Sequence, residues 1–204
     1  DDTVKVGILK GSEGKCFCAG DDLNEGDEYP EGEDISQKIL ALARNKPIIA
    51  AVNSWCLGQG LIYLMLLTDI RVAGSGAKFG FPEIAYAMAG ASGSTRLPLH
   101  IPRVWANWLV LTGEKITADK ALQYQIINEV VPDEEVFDRA LEIANLIASH
   151  PLIAIQTEME CLKKCPEMAA DEAVTLTREL YDRQGKIYRQ EPGAVSGIEH
   201  FKGK

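Results

Sequence analysis

Short apolar runs and longer helical stripes alternate through the first two thirds of the chain. Residues 58–67 are apolar on nearly every side, which predicts a helix at the centre of the fold. Residues 102–112 predict a helix that ends at Gly113, and Thr117 is predicted to cap a short helix that continues to Gln123. Strand-like apolar runs lie at residues 4–9, 47–52, 69–73 and 126–131.

The pattern changes at Asp133, after which only helical spacing remains. Alternating strands and helices followed by a helical tail predict an α/β core over residues 1–132 and a helical C-terminal segment over residues 133–204. The apolar stripes of the tail predict helices within residues 136–147, 151–165, 168–183 and 193–201, and a further stripe predicts one within residues 35–43 of the core.

Composition and charge narrow the class of protein. The 204 residues are 46% apolar and 25% charged, as in ordinary globular proteins. A net charge of −9, without a block of lysine and arginine, argues against nucleic-acid binding. No apolar run is long enough to cross a bilayer, and the five cysteines match no zinc pattern. We therefore predict a cytoplasmic protein that holds no metal and contacts no membrane.

Two glycine loops and one glutamate are the strongest chemical candidates. Residues 17–23 (FCAGDDL) and 57–60 (LGQG) each follow a predicted strand. Glycine allows the backbone to turn N–H groups toward a ligand, and two converging N–H groups suit a thioester oxygen that becomes an enolate. Glu83 follows Pro82 in a partly apolar setting, which favours the protonated carboxyl and suits proton exchange near neutrality. From the residues alone, two ordinary turns and a solvated glutamate remain the alternative.

Four segments in this order resemble the enoyl-CoA hydratase/isomerase (crotonase) superfamily. They are residues 15–23 (KCFCAGDDL), 46–60 (KPIIAAVNSWCLGQG), 68–84 (TDIRVAGSGAKFGFPEI) and 111–132 (LTGEKITADKALQYQIINEVVP). The resemblance implies a spiral of ββα units with a C-terminal helical oligomerisation segment, and a homotrimer or a dimer of trimers. Compared with the family, an N-terminal hairpin and helix are expected to be absent, and the segment near residues 24–34 is expected to be shorter.

The resemblance also assigns roles to residues. It implies that Glu83 is the catalytic proton carrier and that the backbone N–H groups of Asp21 and Gln59 form an oxyanion hole. No separate cofactor is implied, because coenzyme A arrives as part of an acyl-CoA substrate. The residues that the resemblance places along that substrate are Lys15, Ala19, Asp22, Leu23, Gly58, Gly60, Tyr63 and Gly90.

The second acid that hydratases of this family typically use has no clear counterpart. Counting forward from Gly60 reaches Ile62, and counting back from Asp69 reaches Tyr63, neither of which is an acid. A single carboxylate moves a proton between carbons more easily than it adds water, so we expect isomerisation to outpace hydration. Asp21 or Glu114 remains an alternative second acid. A non-catalytic acyl-CoA-binding or scaffold protein of the same fold is the competing hypothesis.

Overall fold

The structure is a computed structural model that describes residues 1, 3–20, 38–39, 42, 44–88, 90–191, 194–195, 199 and 202. Its strands are β1 (Gly7–Lys10), β2 (Ile48–Val52), β3 (Trp55–Leu57), β4 (Ile70–Gly74), β5 (Lys78–Gly80), β6 (Ile116–Thr117) and β7 (Glu129–Val131). Its longer helices are α1 (Gln59–Leu67), α2 (Ala91–His100), α3 (Arg103–Thr112), α4 (Ala118–Gln123), α5 (Val136–Ala148), α6 (Leu152–Lys164) and α7 (Ala170–Tyr188).

Seven strands form two separate sheets in the described part of the chain. The larger sheet has the order β1-β2-β4-β7, and every neighbouring pair in it is parallel. Parallel sheets are normally covered on both faces, which explains why the strand β2 is almost continuously apolar and buried. The smaller sheet has the order β3-β5-β6, with β3 and β5 parallel and β6 antiparallel to β5.

The smaller sheet decides where the glycine loop and the glutamate meet. Strand β3 ends at Leu57, directly before Gly58, and strand β5 ends at Gly80, three residues before Glu83. Leu57 pairs with Gly80 in the parallel register, and the N–H of Gly58 donates to the carbonyl oxygen of Gly80 at 3.0 Å. The carboxyl ends of parallel strands share one edge of a sheet, so both segments leave the sheet at the same place.

Helix α1 is held at its carboxyl end by Arg71. The Arg71 guanidinium donates to the carbonyl oxygens of Met65 and Thr68 at 3.3 and 3.2 Å and to that of Ile126 at 2.9 Å. A cation at this end satisfies carbonyl groups that the helix itself leaves open. Leu61 and other side chains of α1 are completely buried in the main hydrophobic cluster, so this helix is a fixed base for the glycine loop at its other end.

Most predicted helices and strands are present, with shifted ends. The predicted cap is confirmed, since Thr117 Oγ1 accepts the N–H of Lys120 at 3.3 Å, and Gly113 ends α3 in the left-handed conformation as expected. Strand β1 begins three residues later than the apolar run, and α7 continues five residues beyond the predicted end at residue 183. The predicted helices within residues 35–43 and 193–201 lie almost entirely outside the described residues.

The chain divides into two compact units. One contains Val6–Ala43 and Ile48–Ala144, and the other contains Asp1–Lys5, Arg44–Pro47 and Asn145–Lys204. All residues of the candidate site described below belong to the first unit. The boundary predicted at residues 132/133 marks the change from strands to helices along the sequence, and as a domain boundary it stays a prediction. Among the described residues, no helix has both the length and the apolarity needed to cross a membrane.

His100 provides a pH-dependent test of the packing around α2. Partial burial is the largest cause that lowers the pKa of His100 below its ordinary 6.5, although part of the ring reaches solvent, and the positive charges of Arg71 and Arg96 act in the same direction. As the pH falls through about 6.5, His100 therefore binds a proton more readily in the unfolded chain than in the folded one, so its contribution to the free energy of unfolding should decrease.

We expect this loss of stability to be shallower in His100→Gln than in the parent protein. The measurement is urea unfolding at several pH values between about 5 and 8, where an unperturbed histidine titrates. Parallel curves for the two proteins over this range would show that His100 does not contribute to the pH dependence.

Candidate active site

Backbone hydrogen bonds join the first glycine loop to the second. The N–H of Cys18 donates to the carbonyl oxygen of Trp55 at 3.0 Å, and the N–H of Leu57 donates to the carbonyl oxygen of Cys18 at 3.0 Å. Cys18 and Cys56 thereby form an isolated parallel bridge. Two segments that are almost forty residues apart in sequence are held side by side just before their glycines.

The glycines that follow this bridge lie against each other. A Cβ atom built on Gly20 would lie 3.4 Å from the carbonyl oxygen of Leu57 and 3.7 Å from the backbone nitrogen of Gln59. Gln59 is the first residue of α1, and the N–H groups of a helix's first turn point toward whatever lies at its N-terminal end. Asp21, the predicted partner of Gln59, lies outside the described residues. The predicted pairing of these two N–H groups therefore stays a prediction.

Glu83 is the charged side chain that approaches this junction. It lies in a 3₁₀ helix, Pro82–Tyr86, directly after strand β5. A Cβ atom built on Gly58 would lie 2.5 Å from Oε1 of Glu83, a separation that real Cβ atoms do not show. The other carboxyl oxygen, Oε2, is buried. The carboxyl group thus rests on the turn between β3 and α1, where any residue larger than glycine would displace it.

Gly60 is required for a different contact. A Cβ atom at Gly60 would lie 2.7 Å from both the Cβ and the carbonyl oxygen of Cys18. The first turn of α1 therefore packs directly on the strand that leads to the first loop. Burial raises the pKa of the neighbouring Cys56 thiol well above its ordinary value, and Cys18 acts in the same direction. Cys56 is consequently a neutral packing group.

Of the other residues that the resemblance places along the substrate, some are exposed, one packs against an aromatic ring and some lie outside the described residues. Lys15 and Ala19 are exposed, and Asp22 and Leu23 lie outside the described residues. Gly90, predicted to line the acyl pocket, lies against the aromatic ring of Phe81, since a Cβ atom there would overlap that ring. This contact was not anticipated from the sequence, where the only signal was an aromatic residue directly before the Pro-Glu pair.

The register of α1 separates the two candidate positions for a second acid. Ile62 is completely buried, whereas Tyr63 is half-buried. Tyr63 follows Gln59 by four residues and therefore lies on the same face of α1 as that residue. A side chain at position 63 therefore lies on the face that carries Gln59, whereas the side chain at position 62 is enclosed in the hydrophobic cluster.

Glu114 is the other acidic residue that packing brings toward this region. It follows Gly113, where a Cβ atom would lie 3.0 Å from Cγ2 of Ile84 and 3.6 Å from Cα of Pro82. These two residues flank Glu83 in sequence. Glu114 itself is exposed, and its Oε2 accepts a hydrogen bond from the indole nitrogen of Trp108 at 3.2 Å. Its role as a second acid stays open.

Comparison with known proteins extends the resemblance to the whole chain. A sequence profile of the family described as "Enoyl-CoA hydratase/isomerase" matches residues 1–203. The 2,3-dehydroadipyl-CoA hydratase of Escherichia coli is 36% identical over an alignment of 187 residues, covering 89% of this chain and 72% of that protein. The short-chain-enoyl-CoA hydratase of Clostridium acetobutylicum is 32% identical over 212 residues, covering 99% of this chain and 80% of that protein.

The architecture agrees with solved structures of the same family. The crystal structure of an enoyl-CoA hydratase from Bacillus anthracis matches with a TM-score of 0.84 and 30% identity, covering 100% of this chain and 80% of that one. The predicted crotonase-like fold is therefore confirmed. Its catalytic family is confirmed as well, since the matched relatives are named as enoyl-CoA hydratases. The chain belongs to the enoyl-CoA hydratase/isomerase family of enzymes that act on CoA thioesters.

Proposed function

We propose that this protein transfers a proton to or from carbon in an acyl-CoA, with Glu83 as the proton carrier and backbone N–H groups as the oxyanion hole. The observation that carries the proposal is the contact between Oε1 of Glu83 and Gly58. It brings the carboxyl group of Glu83, whose other oxygen is buried, to the turn whose next N–H belongs to Gln59.

The chemistry follows from the charge that develops on the substrate. When a proton leaves the α-carbon of a thioester, negative charge moves onto the thioester oxygen, and N–H donors aimed at that oxygen stabilise the enolate. The N-terminal end of α1 carries a partial positive charge that acts in the same direction. Glu83 accepts the proton and returns it to another carbon of the same acyl chain, so its carboxylate is regenerated in each cycle.

The lack of an acid at positions 62 and 63 favours double-bond isomerisation over hydration. Water addition uses one group to activate water and another to deliver the proton, and a tyrosine at position 63 is a poor base because its ordinary pKa is about 10. The named relatives are hydratases, so the two reactions are a real choice for this chain. We expect the protein to isomerise a 3-enoyl-CoA, or to exchange an α-proton, faster than it hydrates a 2-enoyl-CoA.

Tyr63→Glu is expected to raise the rate of hydration of crotonyl-CoA, because it adds a carboxylate on the helix face that carries Gln59. The matched control is Ile62→Glu, which places the same carboxylate at a completely buried position and should destabilise the fold instead. The measurement compares hydration of crotonyl-CoA (2-butenoyl-CoA) with isomerisation of 3-butenoyl-CoA for the parent protein and the two variants. Hydration that outpaces isomerisation in the parent protein would show that a second acid, such as Glu114, is already in place.

Titration with acyl-CoA tests the competing non-catalytic hypothesis. Quenching of tryptophan fluorescence reports binding, and the same samples are assayed for turnover and for exchange of α-protons with deuterated water. Binding without turnover or exchange across several enoyl-CoA chain lengths would favour a binding or scaffold protein. Turnover with a measurable kcat would support the proposed enzyme.

A further inference from the structure

Phe81 connects strand β5 to the 3₁₀ helix that carries Glu83. Its side chain is 3% exposed, and it belongs to the main hydrophobic cluster. The 3₁₀ helix Pro82–Tyr86, by contrast, contains no buried residue. Phe81 is therefore the nearest buried side chain on the N-terminal side of Glu83, and its ring fixes where this short helix begins.

The ring lies on the backbone at the start of α2. A Cβ atom at Gly90 would overlap Cε1 of Phe81, and one at Gly93 would overlap Cζ and Cε1 and lie 2.7 Å from Cε2. The two glycines therefore form a seat for the ring, with Gly90 at its Cε1 edge and Gly93 at its tip. We call this pair of residues the ring seat.

The contact with Phe81, and not the backbone conformation, explains why positions 90 and 93 are occupied by glycine. Gly90 has a φ of −76°, which any L-residue adopts, and neither glycine is among those with positive φ. Gly93 lies inside α2, where glycine is about 1 kcal/mol less favourable than alanine. An alanine at position 93 would thus suit the helix better, and only the ring of Phe81 excludes it.

A second contact holds the 3₁₀ helix on its other side. Gly113, at the end of α3, lies against Pro82 and Ile84, and the N–H of Met88 donates to the carbonyl oxygen of Glu83 at 3.1 Å. With these contacts in place, we expect a shift of the Phe81 ring to move the Glu83 carboxyl group relative to Gly58.

We propose that Phe81, held in the ring seat of Gly90 and Gly93, is a positioning residue that sets the alignment of Glu83 with the glycine turn. The inference rests on the proposed role of Glu83 as the proton carrier. Phe81 itself touches no reacting atom. Its effect should appear in the proton-transfer step and much less in substrate binding, because a misplacement of about 1 Å at a reacting group costs on the order of 10²-fold in rate.

The first experiment compares Phe81→Leu with Phe79→Leu in the isomerisation of 3-butenoyl-CoA. Both residues are buried phenylalanines of the same cluster, but Phe79 lies within β5, and the atoms nearest to a Cβ at Gly90 or Gly93 belong to Phe81. Both variants should lose similar stability in urea unfolding. We expect kcat to fall about 10–100-fold in Phe81→Leu with KM changed less than about threefold, and kcat to stay within about threefold of the parent protein in Phe79→Leu.

The second experiment restores the contact from the opposite side. Gly93→Ala alone inserts a methyl group into the space of the ring and should lower kcat by a similar factor. In the double variant Phe81→Leu/Gly93→Ala, the smaller side chain leaves room for the added methyl group. Its kcat should be about tenfold higher than the value expected if the two single losses were independent. This difference corresponds to a coupling of about 1.4 kcal/mol.

The outcomes separate this inference from the proposed function. Equal losses of kcat in Phe81→Leu and Phe79→Leu, or additive effects of Phe81→Leu and Gly93→Ala, would overturn the positioning role. If Glu83→Gln nevertheless inactivates the enzyme, the proposed function stands without it. If Glu83→Gln retains full activity, the proposed function fails first, whatever the variants of the ring seat show.

Discussion

Replacing Glu83 by glutamine is expected to lower kcat for the isomerisation of 3-butenoyl-CoA by about 10²–10⁴-fold, the usual contribution of general acid–base catalysis. The amide keeps the size of the side chain and its approach to Gly58, but it cannot accept and return a proton. The Kd for an acyl-CoA, measured by tryptophan fluorescence, should stay within a few fold of the parent value. The variant thus separates binding from proton transfer.

The matched control is Glu135→Gln. Glu135 is also a glutamate of a short 3₁₀ helix, Asp133–Glu135, but it is exposed and lies away from the glycine loops in sequence. Its replacement should leave kcat and stability unchanged. Full activity of Glu83→Gln would contradict the assignment of Glu83 as the proton carrier, and it would direct attention to Glu114 as the next carboxylate to test.

The second large effect is expected for Gly58→Ala, which should lower kcat by about 10²-fold by displacing the catalytic carboxyl group. The added Cβ atom would lie 2.5 Å from Oε1 of Glu83, so the carboxyl group must move. The backbone of Gly58 also has a φ of 56° and a ψ of −129°, and an L-residue in this sparsely populated conformation costs on the order of 1–3 kcal/mol. Both activity and stability should therefore fall.

Gly14→Ala separates the two consequences. Gly14 has a φ of 68°, close to that of Gly58, but a Cβ atom there meets nothing within 4 Å. Both alanine variants should lose free energy of unfolding, because both glycines have a positive φ, and only Gly58→Ala should lose kcat. If Gly58→Ala retains its rate while both variants are destabilised, the contact with Glu83 is not needed for turnover, and glycine at position 58 serves the backbone turn alone.

The two variants address different parts of one arrangement. Glu83→Gln removes the proton-transfer group and leaves its position, whereas Gly58→Ala leaves the group and changes its position. A large loss of kcat in both, with binding retained, is the result expected if alignment and chemistry both limit the rate. The predicted trimeric assembly stays a prediction and does not enter either test.

Local chemistry in the sequence was enough to predict several elements. The cap at Thr117, the end of α3 at Gly113 and the central helix α1 all follow from interactions within a few residues, so neighbouring sequence determines them. The candidate site was found in part for the same reason. Glycines directly after apolar runs, and a glutamate after a proline, are recognisable without knowing what they contact.

Tertiary structure decided what each of these residues does. The parallel register of β3 and β5 brings Gly58 to Glu83, which is 25 positions further along the chain, and no local pattern encodes that contact. The packing of α1 buries Ile62 and leaves Tyr63, on the helix face of Gln59, half-buried. Counting along the sequence from Gly60 or from Asp69 did not distinguish these two positions, and their difference in burial appeared only in the structure.

The glycines illustrate the physical reason most clearly. In the sequence, Gly58, Gly60, Gly90 and Gly93 are alike, because a glycine signals only that a side chain is missing. In the structure, the missing Cβ atoms make room for four different groups: the carboxyl group of Glu83 at Gly58, the backbone of Cys18 at Gly60, and the Cε1 edge and the tip of the Phe81 ring at Gly90 and Gly93. The sequence by itself determined where space is left, and the tertiary structure alone decided which distant group fills it, since such contacts depend on how remote segments are packed together.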